Sequence, residues 1–167
     1  MALAFVPAGA GHLVALQTFI LEQGANVWNW LPEDGIAQHM QDIAAGKAQG
    51  LLAMDREELV GVVTFCQTHH FSRFQSPLRR DTPQGYICEA VVRRDQAGRG
   101  IGAQLLQRAV ASLQAQGLQE IYIDRHEENA ASAGMMRKAG FVEIATFAEP
   151  ARRPHGSGRT TVCRRKV

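Results

Sequence analysis

The sequence predicts a single α/β domain of about seven strands and about four helices. Three observations carry that prediction. Short apolar runs recur along the chain, and apolar residues at helical spacing fill most of the segments between them. A length of 167 residues suffices for one core without metal or disulfide support. Apolar residues make up 46% and charged residues 20%, as in ordinary soluble globular chains. No apolar run approaches the roughly 20 residues needed to cross a bilayer. Residues 1–11 lack the basic-then-apolar order of a signal peptide, so the expectation is a cytoplasmic protein with no membrane partner.

Residues 3–6 form a first short strand, stopped by Pro7. Between His12 and Gln23, Leu13, Leu16, Phe19 and Ile20 recur at helical spacing, and Gly24 ends that helix. A segment with Trp28, Trp30 and Leu31 leads to Pro32, which suits the start of a second helix through about Ala45. Residues 51–54 and 59–65 flank the polar stretch Asp55-Arg56-Glu57-Glu58 as a hairpin. Residues 68–84 show no periodicity, and a loop of that length is either a mobile surface excursion or the border of a functional site. Residues 86–92 form a strand. Ile101, Leu105, Leu106, Ala109, Val110 and Leu113 then share one face of a helix that stops at Gly117. Residues 118–123 form the next strand, Asn129 caps a helix reaching Ala139, and Gly140 terminates it. Residues 141–147 and 160–163 supply two last strands. No repeat, linker or low-complexity block divides the chain.

A formal charge of +2 is too small to suggest nucleic-acid binding. After Glu149, however, no acidic residue follows, whereas Arg152, Arg153, Arg159, Arg164, Arg165 and Lys166 do. These are either a solvated edge and tail or a basic rim that attracts an anionic ligand. Cys66, Cys88 and Cys163 are odd in number, widely spaced and form no Cys-x-x-Cys pair, so they read as small buried hydrophobes in a reducing compartment. His69 and His70 point opposite ways in extended chain and do not chelate one ion, so no metal is expected.

The central stretch is Gly98-Arg99-Gly100-Ile101-Gly102-Ala103, between a strand and a helix. Glycine lets the backbone turn tightly and approach a ligand. The first amides of the following helix are unpaired and sit at the positive end of its dipole. Together they make an anion site suited to a pyrophosphate. Gly98-x-Gly100-x-x-Ala103 also satisfies a dinucleotide-binding pattern, with Asp124 near the position of a ribose-binding acid. Three features count against that ligand. The loop arrives late, too few strands follow Asp124 for a doubly wound domain, and Gly102 exceeds what the pattern needs.

The same stretch resembles the coenzyme A loop of the GNAT family of N-acetyltransferases, Gln/Arg-x-x-Gly-x-Gly/Ala, whose end is supplied by Gly100-Ile101-Gly102. Ala97 holds the leading position, with Gln96 one residue early. Glu89-Ala90-Val91-Val92 is similar to the family strand that splays open beside the pantetheine arm. Asn129 followed by Met135-Met136-Arg137-Lys138-Ala139-Gly140-Phe141 resembles the family's second signature. The resemblance covers residues 86–147 in detail. It implies an acyl-CoA N-acyltransferase fold with a mixed, mostly antiparallel sheet. The chain would be one N-acetyltransferase domain, residues 1–167, with its acetyl-CoA-binding core at about 86–147.

The resemblance further implies that acetyl-CoA is the cosubstrate and that acetyl passes directly to a primary amine of a small molecule or peptide. A typical amine is protonated at neutral pH, so a base and an oxyanion donor are needed. Glu89 is the base candidate, with Asp124 the weaker alternative. A backbone N–H of Val91 or Val92 would stabilise the oxyanion. Gly98, Arg99, Gly100, Ile101, Gly102, Ala103 and Asn129 complete the expected coenzyme site, whereas Arg94 reads as an exposed arginine. Met136 stands where many relatives have a tyrosine that protonates the leaving thiolate, which leaves water or Ser132 for that task. The departure keeps a catalytically silent acyl-CoA-binding or sensor domain open as an alternative, with a dinucleotide-dependent oxidoreductase behind it. Trp28, Trp30 and residues 68–84 would border the acceptor, although tryptophan beside apolar neighbours is more often core. A homodimer paired at an edge through residues 160–163 is a family-based expectation.

Overall fold

A computed structural model describes residues 2–167. Seven strands form one sheet in the order β1-β2-β3-β4-β5-β7-β6. They are β1 (Leu3–Pro7), β2 (Gln49–Asp55), β3 (Glu58–Thr68), β4 (Gln84–Val92), β5 (Glu120–His126), β6 (Val142–Ala148) and β7 (Arg159–Lys166). Four helices, α1 (Leu13–Gln23), α2 (Glu33–Ala44), α3 (Ile101–Ala115) and α4 (Ala130–Lys138), complete the element order. Every neighbouring pair of strands is antiparallel except β4 and β5, which are parallel. The sheet is therefore not the parallel, doubly wound one that the dinucleotide reading requires.

Alternation along the strands divides the core between two faces. On one face, Leu105, Leu106, Ala109 and Leu113 of α3 and Met136 of α4 pack against Val63, Phe65, Ile87, Ile121 and Ile123. On the other, Leu16 and Ile20 of α1 and Ile36 and Met40 of α2 cover Leu52, Val62 and Val91. Beyond β4, among the described residues, no α-helix joins the core on this second face. There the connection between β3 and β4 folds back, and Phe71 stacks on Tyr122 with centroids 4.6 Å apart. The segment contains two short 3-10 turns, Ser72–Phe74 and Pro77–Arg79. Gln84, fully buried, accepts from the Phe71 amide at 3.1 Å and donates to Gln75 Oε1 at 2.8 Å, which fixes the excursion against the sheet.

Three expectations change. Gln84 rather than Tyr86 lies at the start of β4, and β5 continues through Asp124 to His126. β7 is hydrogen-bonded on both sides, to β5 and to β6, so residues 160–163 offer no free edge, and β6 forms that margin of the sheet. Among the described residues no helix is long and apolar enough to cross a membrane.

Candidate active site

The glycine loop links β4 to α3. Gly98 and Gly100 adopt φ of +81° and +76°, a region that costs an L side chain about 1–2 kcal/mol, and both face open space. Gln104 N–H begins the helical ladder by donating to Gly100 O at 3.1 Å. Among the described residues, the amides of Gly98, Gly100, Ile101, Gly102 and Ala103 meet no protein acceptor outside helical or strand pairing. They are therefore open to an anion at a helix N-terminus. Gly102 has a different reason to be glycine: a Cβ there would run into the Met135 sulfur. Its hydrogen lets α3 and α4 approach. Between them lies a cleft of about 360 Å³, floored by Val92 and the loop and walled by Ala130, Ala131 and Gly134 of α4.

Strands β4 and β5 pair only at Gly85↔Ile121 and Tyr86↔Tyr122, then separate. A second, smaller cleft of about 70 Å³ occupies the gap, lined by Glu89, Ala90, Ile123, Asp124, Ser132 and Met136 among others. Met135 lines both clefts, so the gap continues the path that begins at the glycine loop. Within β4 the register passes from Thr64↔Glu89 to Phe65↔Ile87, which leaves Cys88 as an unpaired bulge residue. That extra residue changes the phase of alternation. Ile87 belongs to the α3 core, whereas Val91, in step with Glu89, belongs to the α1–α2 core. Without the bulge Glu89 would share the face of Ile87.

The hydrogen-bond pattern also separates the two valines. Arg93 N–H donates to Val60 O at 2.9 Å, so alternation assigns the Val91 amide to its partner Val62. The Val92 amide then points away from β3 toward the gap. Of the two valine amides, only that of Val92 is left unpaired by β3.

Glu89 is half-buried. Desolvation, reinforced by the charge of Asp124, pushes its carboxyl up to about 8, with Arg152 and Arg153 opposing the rise. A carboxylate of that basicity accepts a proton near neutral pH far better than an ordinary one. Asp124 is occupied. It accepts from Tyr86 Oη at 3.2 Å and from Arg152 at 3.1 Å, and Arg153 lies 3.7 Å away. That ties it into a network and leaves Glu89 as the better base candidate.

Other sequence-predicted residues divide differently. Ser132 and Met136 border the gap, and Met136 is almost completely buried. Asn129 caps α4, accepting from Ser132 N–H at 3.2 Å, and lines neither cleft. Arg99 donates to Gln96 Oε1 at 2.9 Å beside the loop. Arg94 donates to the carbonyls of Glu22 and Ala25, which makes it an anchor for the end of α1. Trp30 is 45% exposed and borders the gap, against the core reading, while Trp28 packs at a tilt against His126, ring centroids 4.6 Å apart.

Sequence reasoning set residues 68–84 beside the acceptor without singling out Arg73 or Phe74, and it missed Phe147. The Arg73 guanidinium lies over Phe74 and Phe147, at 4.6 and 4.7 Å from the ring centroids. These residues line a further cleft of about 370 Å³ that shares Asp124 and Arg152 with the central gap. The signal was present only as an arginine flanked by aromatics in an aperiodic loop. Nothing in it specified the meeting with Phe147, 73 positions or more downstream on β6.

Residues 15–141 match the model of the acetyltransferase (GNAT) family. An L-methionine sulfoximine/L-methionine sulfone acetyltransferase from Pseudomonas paraeruginosa is 32% identical over 119 residues, which are 69% of this chain. The match spans only 64% of that relative's length. Among solved structures, a ribosomal-protein-alanine N-acetyltransferase from Brucella melitensis superposes with a TM-score of 0.76 at 16% identity, covering 98% of this chain and 99% of that one. A Bacillus subtilis acetyltransferase in complex with CoA gives 0.70 at 15% identity, covering 99% of each chain. These two likenesses concern the fold. The family match takes in the open glycine loop, the splayed strands and most of the helical framework around them, and the chain belongs to the acetyltransferase (GNAT) family.

Proposed function

We propose that the chain is an acetyl-CoA-dependent N-acetyltransferase whose acceptor is the primary amine of a small, amino-acid-like molecule. One observation carries the reading: a cleft that starts at unpaired helix amides leads past Met135 to a carboxyl held near neutrality at Glu89. The open amides, the vacant space over Gly98 and Gly100 and the small residues of α4 fit a diphosphate with an extended arm. When bound, acetyl-CoA supplies an acetyl group activated as a thioester.

The chain's own residues do the rest. Amides of the glycine loop hold the diphosphate, and the Val92 N–H aims into the gap as the oxyanion donor. Glu89 takes the proton from the attacking amine, directly or through water. Asp124, held by Arg152 and Tyr86, keeps the acceptor end polar and raises the basicity of Glu89. Ser132, or water, is the proton source for the departing thiolate, because Met136 has no proton to give.

The acceptor class follows from the third cleft. Arg73 is exposed and forms no ion pair among the described residues, yet two phenyl faces hold its guanidinium in place. A positioned, unpaired arginine suits a carboxylate. An amine and a carboxylate on one small molecule define an amino acid, and the name of the Pseudomonas relative supports the same class.

Two measurements test this. Acetyl-CoA should raise the melting temperature, whereas NAD and NADP should not. Thiol release from acetyl-CoA should then be fastest with amino acids and their sulfone or sulfoximine analogues in a panel that includes polyamines, aminoglycosides and peptides. Stabilisation by acetyl-CoA with no thiol release on any amine would favour a silent acyl-CoA-binding domain instead.

A further inference from the structure

Cys66 on β3 and Cys88 on β4 are 22 residues apart in sequence, but their sulfurs lie 3.6 Å apart. Both side chains are half-buried, whereas Cys163 is buried elsewhere, with Arg125 donating to its sulfur at 3.2 Å. Cys88 is the bulge residue next to Glu89 and lines the central gap, so a small solute that enters the gap reaches Cys88, and Cys66 beside it is itself only half-buried. The acetyl-transfer reading gives neither thiol a role.

We propose that Cys66 and Cys88 form a peroxide-sensitive dithiol whose reversible oxidation to a disulfide displaces Glu89 and switches off the acceptor end of the site. The loss of activity rests on the functional reading above, but the chemistry of the pair does not. The Cys66 thiolate attacks one oxygen of hydrogen peroxide; a sulfur–oxygen bond forms, the oxygen–oxygen bond breaks, and the departing hydroxide is protonated to water. The Cys88 sulfur then attacks the Cys66 sulfur. A sulfur–sulfur bond forms, the sulfur–oxygen bond breaks, and the second water leaves with the Cys88 proton. Two thiols are oxidised and one peroxide is reduced to two waters.

The order of attack has a physical basis. The hydrogen bond between the two sulfurs holds the Cys66 thiol below its usual value, against the opposing effect of burial. The same hydrogen bond, followed by burial, pushes Cys88 well up. Cys66 is therefore the nucleophile and Cys88 the resolving thiol. Because the sulfurs already touch, the sulfenic acid meets its partner before a second peroxide arrives. A disulfide spans about 2.05 Å, so the sulfurs must close by roughly 1.5 Å. Cys88 has no ladder partner across from it, and the bulge is where β4 can yield. Glu89, its covalent neighbour, moves with it.

The test uses the full chain treated with a modest excess of hydrogen peroxide. Peptide mass spectrometry should find a loss of two hydrogens and a Cys66–Cys88 linkage, in the wild type and in Cys163→Ser alike. Acetyl transfer should fall at least about tenfold and return with dithiothreitol, because small misplacements of reacting groups cost up to about 10²-fold. CoA affinity, set on the α3 side, should change less than about threefold, or under about 0.7 kcal/mol. Cys66→Ser and Cys66→Ala should keep their activity before and after peroxide. Separate oxygenation of the two sulfurs, a linkage through Cys163, or a mapped Cys66–Cys88 disulfide with undiminished turnover would each overturn the proposal. The linkage is read without any acceptor, so an absence of turnover in the reduced protein would count against the acetyltransferase reading alone.

Discussion

Replacing Glu89 with glutamine should lower activity and raise stability at the same time. Folding lifts this carboxyl from an ordinary 4.5 to about 8, chiefly by desolvation. Its folded pKa is raised, so the folded state is favoured by the proton below pH 4.5 and loses that advantage as pH rises through about 8. At 1.36 kcal/mol per pH unit the full excursion corresponds to about 5 kcal/mol. Glu89 is only half-buried, so solvent screens the charge, and we expect about 2 kcal/mol of that to appear. Glu89→Gln keeps the shape but removes the ionisation. It should therefore match the wild type near pH 5 and exceed it by about 2 kcal/mol at pH 9, a rise in melting temperature of about 4–8 °C. Urea unfolding at the two pH values measures this directly. Initial rates of thiol release give the other half: kcat/KM of the wild type should climb with pH to a plateau above about 8, and the variant should lose about 10²–10⁴-fold with that limb abolished. A variant with the same pH-dependence of stability as the wild type, or one that retains the ascending limb, would show that Glu89 is neither desolvated nor the base.

Gly102→Ala should push Met135 into the cleft it borders and weaken CoA binding about tenfold, about 1.4 kcal/mol by calorimetry, with little change in fold by circular dichroism. Asn129→Ala removes a helix cap and should cost about 1 kcal/mol, or about 2–4 °C in melting temperature, while CoA affinity stays within about twofold. A large loss of CoA affinity in a well-folded Asn129→Ala would restore that residue to the coenzyme site. Arg73→Ala should raise KM for amino acids by about 10–100-fold, as expected for a lost charge-assisted hydrogen bond, and leave KM for amines without a carboxylate unchanged.

The elements that pack by periodicity were legible. The face of α3 from Ile101 to Leu113 is buried as its spacing requires, and the glycine loop, Asn129 and Gly140 fall where turn and cap chemistry put them. Errors came where burial is achieved by pairing rather than by apolar residues. Asp124, Arg125 and His126 look like the end of a strand, yet β5 continues through them. Arg152 neutralises Asp124, Glu143 accepts from Arg125 at 2.6 Å, and Trp28 covers His126. Those partners lie 18 to 98 positions away, beyond any local pattern. The bulge at Cys88 was equally hidden, because register is decided by β3 and not by β4 alone. It turns Glu89 toward the acceptor, and it also brings two cysteines that read as inert fillers into contact.

The basic run after Glu149 tests the electrostatic part of this account most sharply. Its residues are mostly neither a free rim nor a loose tail. Arg164 donates to Phe74 O, Arg165 to Ala139 O, and Arg159 pairs with Glu127. Arg152 and Arg153 turn inward, beside Asp124 and within the field of Glu89. Asp124 raises the Glu89 carboxyl, and the two arginines lower it. Arg152→Met should therefore leave the push of Asp124 less opposed and move the ascending limb of kcat/KM to higher pH. Asp124→Asn should move it to lower pH, and both shifts should shrink in high salt to the extent that the gap is open to water. Loss of one structural ion pair would harm both variants in the same direction. Opposite displacements of one limb, read from full pH profiles, require a single titrating group near both residues, and displacements of the same sign would remove Glu89 from that position.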